Sequence, residues 1–114
     1  MSSTASILTL ADFRTGHKLN DILRAVCAVK LVSLTELQSP RREQRLVKAR
    51  WVYYWIARKT TQQSFPQIGR YCGNRDHSTV MHGIEQVEQD LARYQADIAA
   101  VMAYLERAKQ RDAA

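Results

Sequence analysis

A regular apolar repeat runs through the C-terminal third of this chain. Apolar residues recur there with alternating steps of 4 and 3 residues, at Val80, Ile84, Val87, Leu91, Tyr94, Ile98, Val101 and Leu105. Such steps average about 3.5 residues and are typical of a helix that buries one face. The repeat predicts either a coiled-coil dimer or two helices, broken near Asp97, that pack on the domain's own core. For so short a chain we favour packing within the domain.

The rest of the sequence also favours helices. Its 114 residues include only 4 Gly and 2 Pro, and 46% are hydrophobic, which suits one helical domain with one core. Apolar periodicity predicts a helix over about 19–29 and a longer one over about 42–59. Ser33 followed by Glu36 has the spacing of a capping box and predicts a short helix between these two. We therefore expect an all-α fold.

Two further helices follow the long one and are separated by a tight turn. Ser64 can cap a helix that runs to about residue 71, and Asp76 or Ser78 can cap the next. The segment Cys72–Arg75 between them supplies the turn, because its Gly and Asn accept positive φ. Two helices joined by a glycine-containing turn form a helix-turn-helix in outline, over about residues 64–90.

Positive charge is concentrated in the middle of the chain. The whole sequence has 17 Lys+Arg and 11 Asp+Glu, a formal net charge of +6. Residues 41–75 hold nine basic residues and one acidic residue, whereas residues 82–114 hold four basic and six acidic ones. Such a stretch is either a solvated helix face or a surface that binds a polyanion. Its position beside the predicted helix-turn-helix favours nucleic acid.

Other classes of protein fit the sequence poorly. Two cysteines are too few for a disulfide framework, and no stretch approaches a signal peptide or the roughly 20 apolar residues of a membrane span. Cys72, His77 and His82 do not converge as zinc ligands, because the step of five residues from His77 to His82 turns a helix by about 500° and puts the two on different faces. We expect no metal, no cofactor, no membrane association and no enzymatic activity. A cytoplasmic protein with an N-terminal arm over 1–17 and one domain over 18–112 is predicted.

The segment from Ile68 to His82 carries a specific signature. It reads Ile-Gly-Arg-Tyr-Cys-Gly-Asn-Arg-Asp-His-Ser-Thr-Val-Met-His. This run resembles the signature of the C-terminal DNA-binding domain of the bacterial replication initiator DnaA, and the likeness extends without a gap over about 19–87. The resemblance implies the family's Trp-repressor-like helix-turn-helix fold and binding to double-stranded DNA at the nine-base-pair DnaA box.

The resemblance, together with the basic stretch, also implies roles for individual residues. By this resemblance, Arg42 is expected to read bases in the minor groove. Bases in the major groove are expected to be read by Asp76, His77, Ser78 and Thr79. Contacts to the DNA backbone are expected from Arg41, Arg45, Lys48, Arg50, Arg58, Phe65, Pro66, Arg75 and His82. The Asp76 carboxylate can cap the helix and also accept a hydrogen bond from a cytosine amine.

The chain also departs from the family pattern. Trp51 stands where the family usually has Gln, which removes an amide donor to phosphate, and Cys72-Gly73-Asn74 stands where the family has Phe-Gly-Gly. The sequence contains no G-x-x-x-x-G-K-[ST] phosphate loop. We therefore expect a stand-alone module, associated with the nucleoid, that regulates replication initiation or transcription without ATPase activity. The alternative is a protein-interaction or dimerisation module whose C-terminal heptad helix binds full-length DnaA or a second copy.

Overall fold

The computed structural model describes residues 17–113, and every regular element in that range is helical. The six described helices are α1 (Leu19–Lys30), α2 (Leu34–Gln38), α3 (Gln44–Thr60), α4 (Phe65–Tyr71), α5 (His77–Gln89) and α6 (Leu91–Ala113). The all-α prediction is therefore confirmed, while the arm expected over 1–17 falls outside the described residues except for His17. None of these helices combines the length and apolar character needed to cross a membrane.

Helix α3 runs through the centre of the domain and contacts the other five helices. Six consecutive residues in its middle, Val52–Ala57, are all buried. A helix surrounded in this way has no solvent face, so the cations of α3 lie toward its two ends. Arg45, Lys48 and Arg50 fall in the N-terminal half, and Arg58 and Lys59 in the last turn.

Capping boxes begin the two short helices, as the sequence predicts for α2. The Ser33 hydroxyl accepts a hydrogen bond from the Glu36 backbone N–H (3.0 Å), and the Glu36 carboxylate accepts one from the Ser33 N–H (3.1 Å). Ser64 and Gln67 form the same reciprocal pair at the start of α4. Both boxes satisfy backbone donors that the first helical turn leaves free.

The predicted turn between α4 and α5 is confirmed. Gly73 and Asn74 have φ values of +78° and +57°, the left-handed region that Gly and Asn accept. Helix α4 also approaches this turn closely, because the Arg75 N–H donates to the Gly69 carbonyl (2.9 Å). A Cβ added at Gly69 would lie 2.1 Å from the Arg75 carbonyl oxygen, so only glycine fits there without movement.

The C-terminal repeat packs within the domain, but the predicted break near Asp97 is wrong. The chain leaves helical geometry at Asp90 (φ −138°, ψ 52°), which separates α5 from α6. Asp97 lies inside α6 and forms an ion pair with Lys30 of α1 (2.7 Å). One non-helical residue changes the direction of the chain without disturbing the 4-3 spacing. The periodicity therefore continues while α5 packs mainly on α3 and α6 mainly on α1.

Candidate DNA interface

The start of α5 presents polar side chains to solvent. Asp76 is the N-cap, and His77, Ser78 and Thr79 are exposed before Val80, the first fully buried residue of the helix. The Asp76 carboxylate accepts hydrogen bonds from the Ser78 hydroxyl and the Ser78 N–H. These bonds, the side-chain one first, lower the pKa of Asp76. The start of the helix is thereby fixed, and the His77, Ser78 and Thr79 side chains are exposed, with His77 Nδ1 3.5 Å from Asp76 Oδ1.

A short basic loop, residues 39–43, connects α2 to α3. Its Arg42 side chain is exposed and forms no ion pair or hydrogen bond with the described part of the chain. Arg41 and Arg45, in contrast, both pair with Glu36 and Glu43. The hydrogen bond from Arg45, with that from the Ser33 backbone next, lowers the pKa of the Glu36 carboxyl to about 2. Arg42 is thus the loop cation whose charge is not partly offset by a neighbouring acid.

An open cleft of about 620 Å³ is lined by residues of the basic loop, of α3 and of the helix-turn-helix. Arg42 of the loop, Arg50 of α3, and Arg75, Thr79 and His82 of the helix-turn-helix are among the residues that line it, whereas Asp76, His77 and Ser78 are not. The fold therefore brings residues from three distant parts of the sequence onto one positively charged surface. Opposed elements of this kind can engage adjacent features of a polyanion.

Trp51 lines this cleft. Its indole ring meets the His82 imidazole edge to face, with ring centroids 5.9 Å apart and an interplanar angle of 77°. A Cβ added at Gly83 would lie 2.6 Å from Trp51 Cδ1 and from Tyr54 Cδ2, so the absence of a side chain at this position makes room for the indole. The Trp51 N–H has no acceptor among the described residues. The indole of Trp51 thus presents an N–H donor in the cleft.

Arg50 and Arg75 have protein partners in the structure. The Arg50 side chain is almost fully buried (4% exposed) and donates four hydrogen bonds to backbone carbonyls. Arg75, half-buried, donates to the carbonyls of Gln38, Ser39 and Cys72. Burial, and then the nearby Arg75 charge, lower the pKa of Arg50. The predicted phosphate contacts of these two residues stay predictions.

A second group of predicted backbone contacts lies away from the cleft. The Arg58 guanidinium stacks over the Phe65 ring, with Cζ 4.3 Å from the ring centroid. This contact joins the end of α3 to the start of α4, where Pro66 is exposed. Lys48, half-buried in α3, has no ion pair within the described range. The structure thus brings Arg58, Phe65 and Pro66 together but places them outside the lining of the cleft.

Sequence reasoning missed two residues of this surface. Met81 is 40% exposed one helical turn after His77, so it lies on the same side of α5 as that residue. Its i+4 spacing from His77 is the signal that could have identified it. Gln38 lines the cleft and donates from Nε2 to the Tyr71 carbonyl (2.8 Å), a contact across 33 residues that no local pattern indicates. Within residues 17–113, no group of three or more His, Cys, Asp or Glu side chains is placed to hold a metal.

The two capped helices, the Gly73–Asn74 turn and the polar start of α5 define a helix-turn-helix domain of the DNA-binding class. A sequence family described as the bacterial DnaA protein helix-turn-helix matches residues 19–87. The chain belongs to this family, which confirms the resemblance seen in the sequence.

Relatives with the same domain are chromosomal replication initiator proteins DnaA. The protein of Mesorhizobium japonicum is 38% identical over 99 residues, which cover 83% of this chain and 20% of the relative. That of Thermomicrobium roseum is 39% identical over 87 residues, covering 74% and 19%. That of Agrobacterium fabrum is 42% identical over 71 residues, covering 62% and 15%. The chain therefore spans a fifth or less of the length of these relatives.

Proposed function

We propose that this chain binds double-stranded DNA sequence-specifically, at sites that resemble the DnaA box. The observation that carries the proposal is the cleft that Arg42 of the basic loop and Thr79 of α5 both line, next to the exposed start of α5. The N-terminal residues of a recognition helix contact base edges in the major groove. In this arrangement α5 enters the major groove, and Arg42 reaches the adjacent minor groove.

Four residues at the start of α5 have the chemistry for reading bases. The Ser78 and Thr79 hydroxyls can donate or accept, and the Thr79 methyl can contact a thymine methyl. The His77 imidazole can donate from either ring nitrogen, according to its tautomer. Asp76 accepts both Ser78 hydrogen bonds on Oδ2, and its Oδ1 lies 3.5 Å from His77 Nδ1. Oδ1 can therefore accept from a cytosine amine while Oδ2 caps the helix.

The cations around this surface are the residues that bind phosphate in this proposal. Arg42 and Lys48 have no acidic partner in the described structure, and Arg41 and Arg45 are exposed beside Glu36 and Glu43. Phosphate oxygens compete readily with exposed ion pairs of this kind, since such pairs contribute little stability. Arg58, stacked on Phe65, lies with Pro66 and is available to a second stretch of backbone, and His82 and Trp51 add ring N–H donors in the cleft.

The proposed biological role is regulation of replication initiation or transcription, without catalysis or ATP hydrolysis. It is supported by the family, because replication initiators share this domain. A protein that occupies DnaA boxes with this domain alone competes with or assists a full-length initiator at the nucleoid in the cytoplasm. Contact with the initiator, or with a second copy through α6, stays a prediction. The heptad face that contact would use is buried within this domain.

The proposal is tested by fluorescence anisotropy on two labelled duplexes, one with a DnaA box and one with the same bases scrambled. We expect tighter binding to the box, and a log–log salt slope of about −4.5 if five cations contact phosphate. His77→Ala should cost roughly 1–3 kcal/mol on the box and leave the scrambled duplex unchanged. Lys109→Ala on α6 removes one charge away from the cleft, so it should leave the slope unchanged. Equal affinity of the unmodified protein for both duplexes would contradict the proposal.

A further inference from the structure

The Arg50 guanidinium holds the backbone that leads into the basic loop. Nε donates to the Leu37 carbonyl (2.8 Å) and Nη1 to the Arg41 carbonyl (2.7 Å). Nη2 donates to the carbonyls of Glu36 (3.1 Å) and Ser39 (2.9 Å). Four of the five N–H donors of this side chain are therefore used within one six-residue stretch. A phosphate could recruit them only by breaking hydrogen bonds that are largely buried, which is costly.

Arg75 holds the same stretch from the opposite side. It lies in the turn before α5, and its Nη1 donates to the Cys72 carbonyl of that turn (2.8 Å). Its Nη2 donates to the Ser39 carbonyl (2.5 Å), and Nη1 also reaches the Gln38 carbonyl (3.4 Å). The Ser39 carbonyl thus accepts from both guanidinium groups. One atom of the basic loop is fixed to α3 and to the helix-turn-helix simultaneously.

Close packing of the turn against the end of α2, where the basic loop starts, supports these hydrogen bonds. A Cβ added at Gly73 would lie 2.2 Å from the Gln38 carbonyl oxygen, so the two backbones are nearly in contact. The Gln38 side chain returns a hydrogen bond to the Tyr71 carbonyl, and the buried Cys72 thiol lies 3.8 Å from the Leu37 carbonyl. The loop therefore has a defined position relative to α5, although Arg41 and Arg42 are exposed.

We propose that Arg50 and Arg75 are positioning residues rather than phosphate contacts, and that they hold Arg42 in register with the start of α5. The proposal rests on the proposed function, because it explains how minor-groove and major-groove contacts form together. A base-contacting side chain that is already held in its bound geometry loses less conformational entropy on binding than a flexible one. In this account the two buried or half-buried guanidinium groups raise affinity through Arg42.

A double-mutant cycle with Arg42 tests this coupling. Arg50→Lys keeps the charge but cannot form the planar fork of hydrogen bonds. We expect it to weaken binding to the DnaA-box duplex about tenfold, and to change binding by less than about twofold in an Arg42→Ala background. A phosphate contact would give the opposite pattern, since the lysine would preserve most of the affinity or the loss would be the same in both backgrounds. Either result would overturn the proposal.

The same cycle with Arg75→Lys keeps the test informative if Arg50→Lys does not fold. Arg70→Lys is the matched control, because Arg70 is exposed on α4 and its side chain forms no hydrogen bond or ion pair in the described structure. It should leave the binding unchanged in both backgrounds.

A measurement without DNA separates this proposal from the proposed function. Trypsin can cleave after Arg41 and Arg42, and the rate of cleavage there reports how firmly the basic loop is held. We expect Arg50→Lys and Arg75→Lys to accelerate that cleavage several-fold relative to Arg70→Lys. Unchanged cleavage would contradict a positioning role even if the protein binds DNA. If the unmodified protein showed no preference for the DnaA box, the proposed function would fail while the cleavage result still decided the positioning role.

Discussion

The indole of Trp51 meets the imidazole of His82 edge to face on the wall of the cleft. Trp55, the second tryptophan, is only 1% exposed in the core. DNA in the cleft would therefore change the surroundings of Trp51 and leave those of Trp55 unaltered. We expect tryptophan emission to change when duplex DNA is added, and Trp51→Phe to abolish that change. A full emission change in the Trp51→Phe protein would show that DNA binds elsewhere.

Gly83 should be needed for the position of that indole. A methyl group at this site would press on Trp51 and Tyr54, so Gly83→Ala should alter the Trp51 emission of the free protein. Overpacking of this kind costs about 1–3 kcal/mol, which thermal unfolding would show. In a Trp51→Ala background the cost should fall, because one of the two clashing groups is gone. An equal cost in both backgrounds would contradict the contact.

The capping and base-reading roles of Asp76 can be separated by two substitutions. Asn is as good an N-cap as Asp, so Asp76→Asn should unfold at nearly the same temperature as the unmodified protein. Asp76→Ala removes the cap and should lose about 0.5–2 kcal/mol of stability. Both should lose discrimination at the base pair that Asp76 contacts, which binding to duplexes with single base changes measures. Unchanged base preference in Asp76→Asn would leave capping as the residue's role.

The close approach of α4 to the turn makes Gly69 sensitive to a single methyl group. Because the added Cβ would lie 2.1 Å from a backbone carbonyl oxygen, backbone must move in Gly69→Ala. We expect a loss of about 1–3 kcal/mol in the free energy of unfolding, measured by urea titration. Arg70→Ala, one residue along on the exposed side of α4, should change it by less than about 0.5 kcal/mol. Similar values for the two variants would refute the predicted clash.

The buried Cys72 thiol predicts a loss of stability at alkaline pH. Burial raises its pKa from the ordinary 9.0 to about 11. Between these two pH values the folded state therefore keeps a proton that the unfolded state releases. The contribution of this thiol to the free energy of unfolding is fully present below pH 9 and is lost as pH rises toward 11. We expect this group to lower the free energy of unfolding by roughly 1–3 kcal/mol across that range. Cys72→Ala should flatten the pH profile of urea unfolding, and identical profiles would exclude this origin.

Much of the fold is predictable from local sequence chemistry. The capping box at Ser33 and Glu36, the Ser64 cap and the left-handed turn at Gly73 and Asn74 depend on residues within a few positions of one another. Apolar periodicity does not locate a break at which the helical chain changes direction while the spacing of its apolar residues continues. The break at Asp90 rather than at Asp97 is an example, because the 4-3 repeat continues through it.

The candidate site shows a second limit of the sequence. An arginine in a basic helix is expected to be exposed, and the sequence predicted that Arg50 contacts phosphate. In the structure, residues 36–41 fold back over α3. The Arg50 side chain is therefore surrounded by carbonyl oxygens of residues 9 to 14 positions earlier in the sequence. Such long-range contacts leave no periodic signal. The exposed residues Asp76, His77, Ser78 and Thr79 depend instead on the start of one helix, which explains why the sequence placed them together.

Selection of binding sites from random duplex DNA tests the central claim most directly. After several rounds with the unmodified protein, we predict enrichment of one motif of about nine base pairs that resembles the DnaA box, as readout by α5 and Arg42 together requires. Enrichment should be lost when His77 and Thr79 are both replaced by Ala. Recovery of random sequence by the unmodified protein would contradict the claim that this chain reads DNA bases.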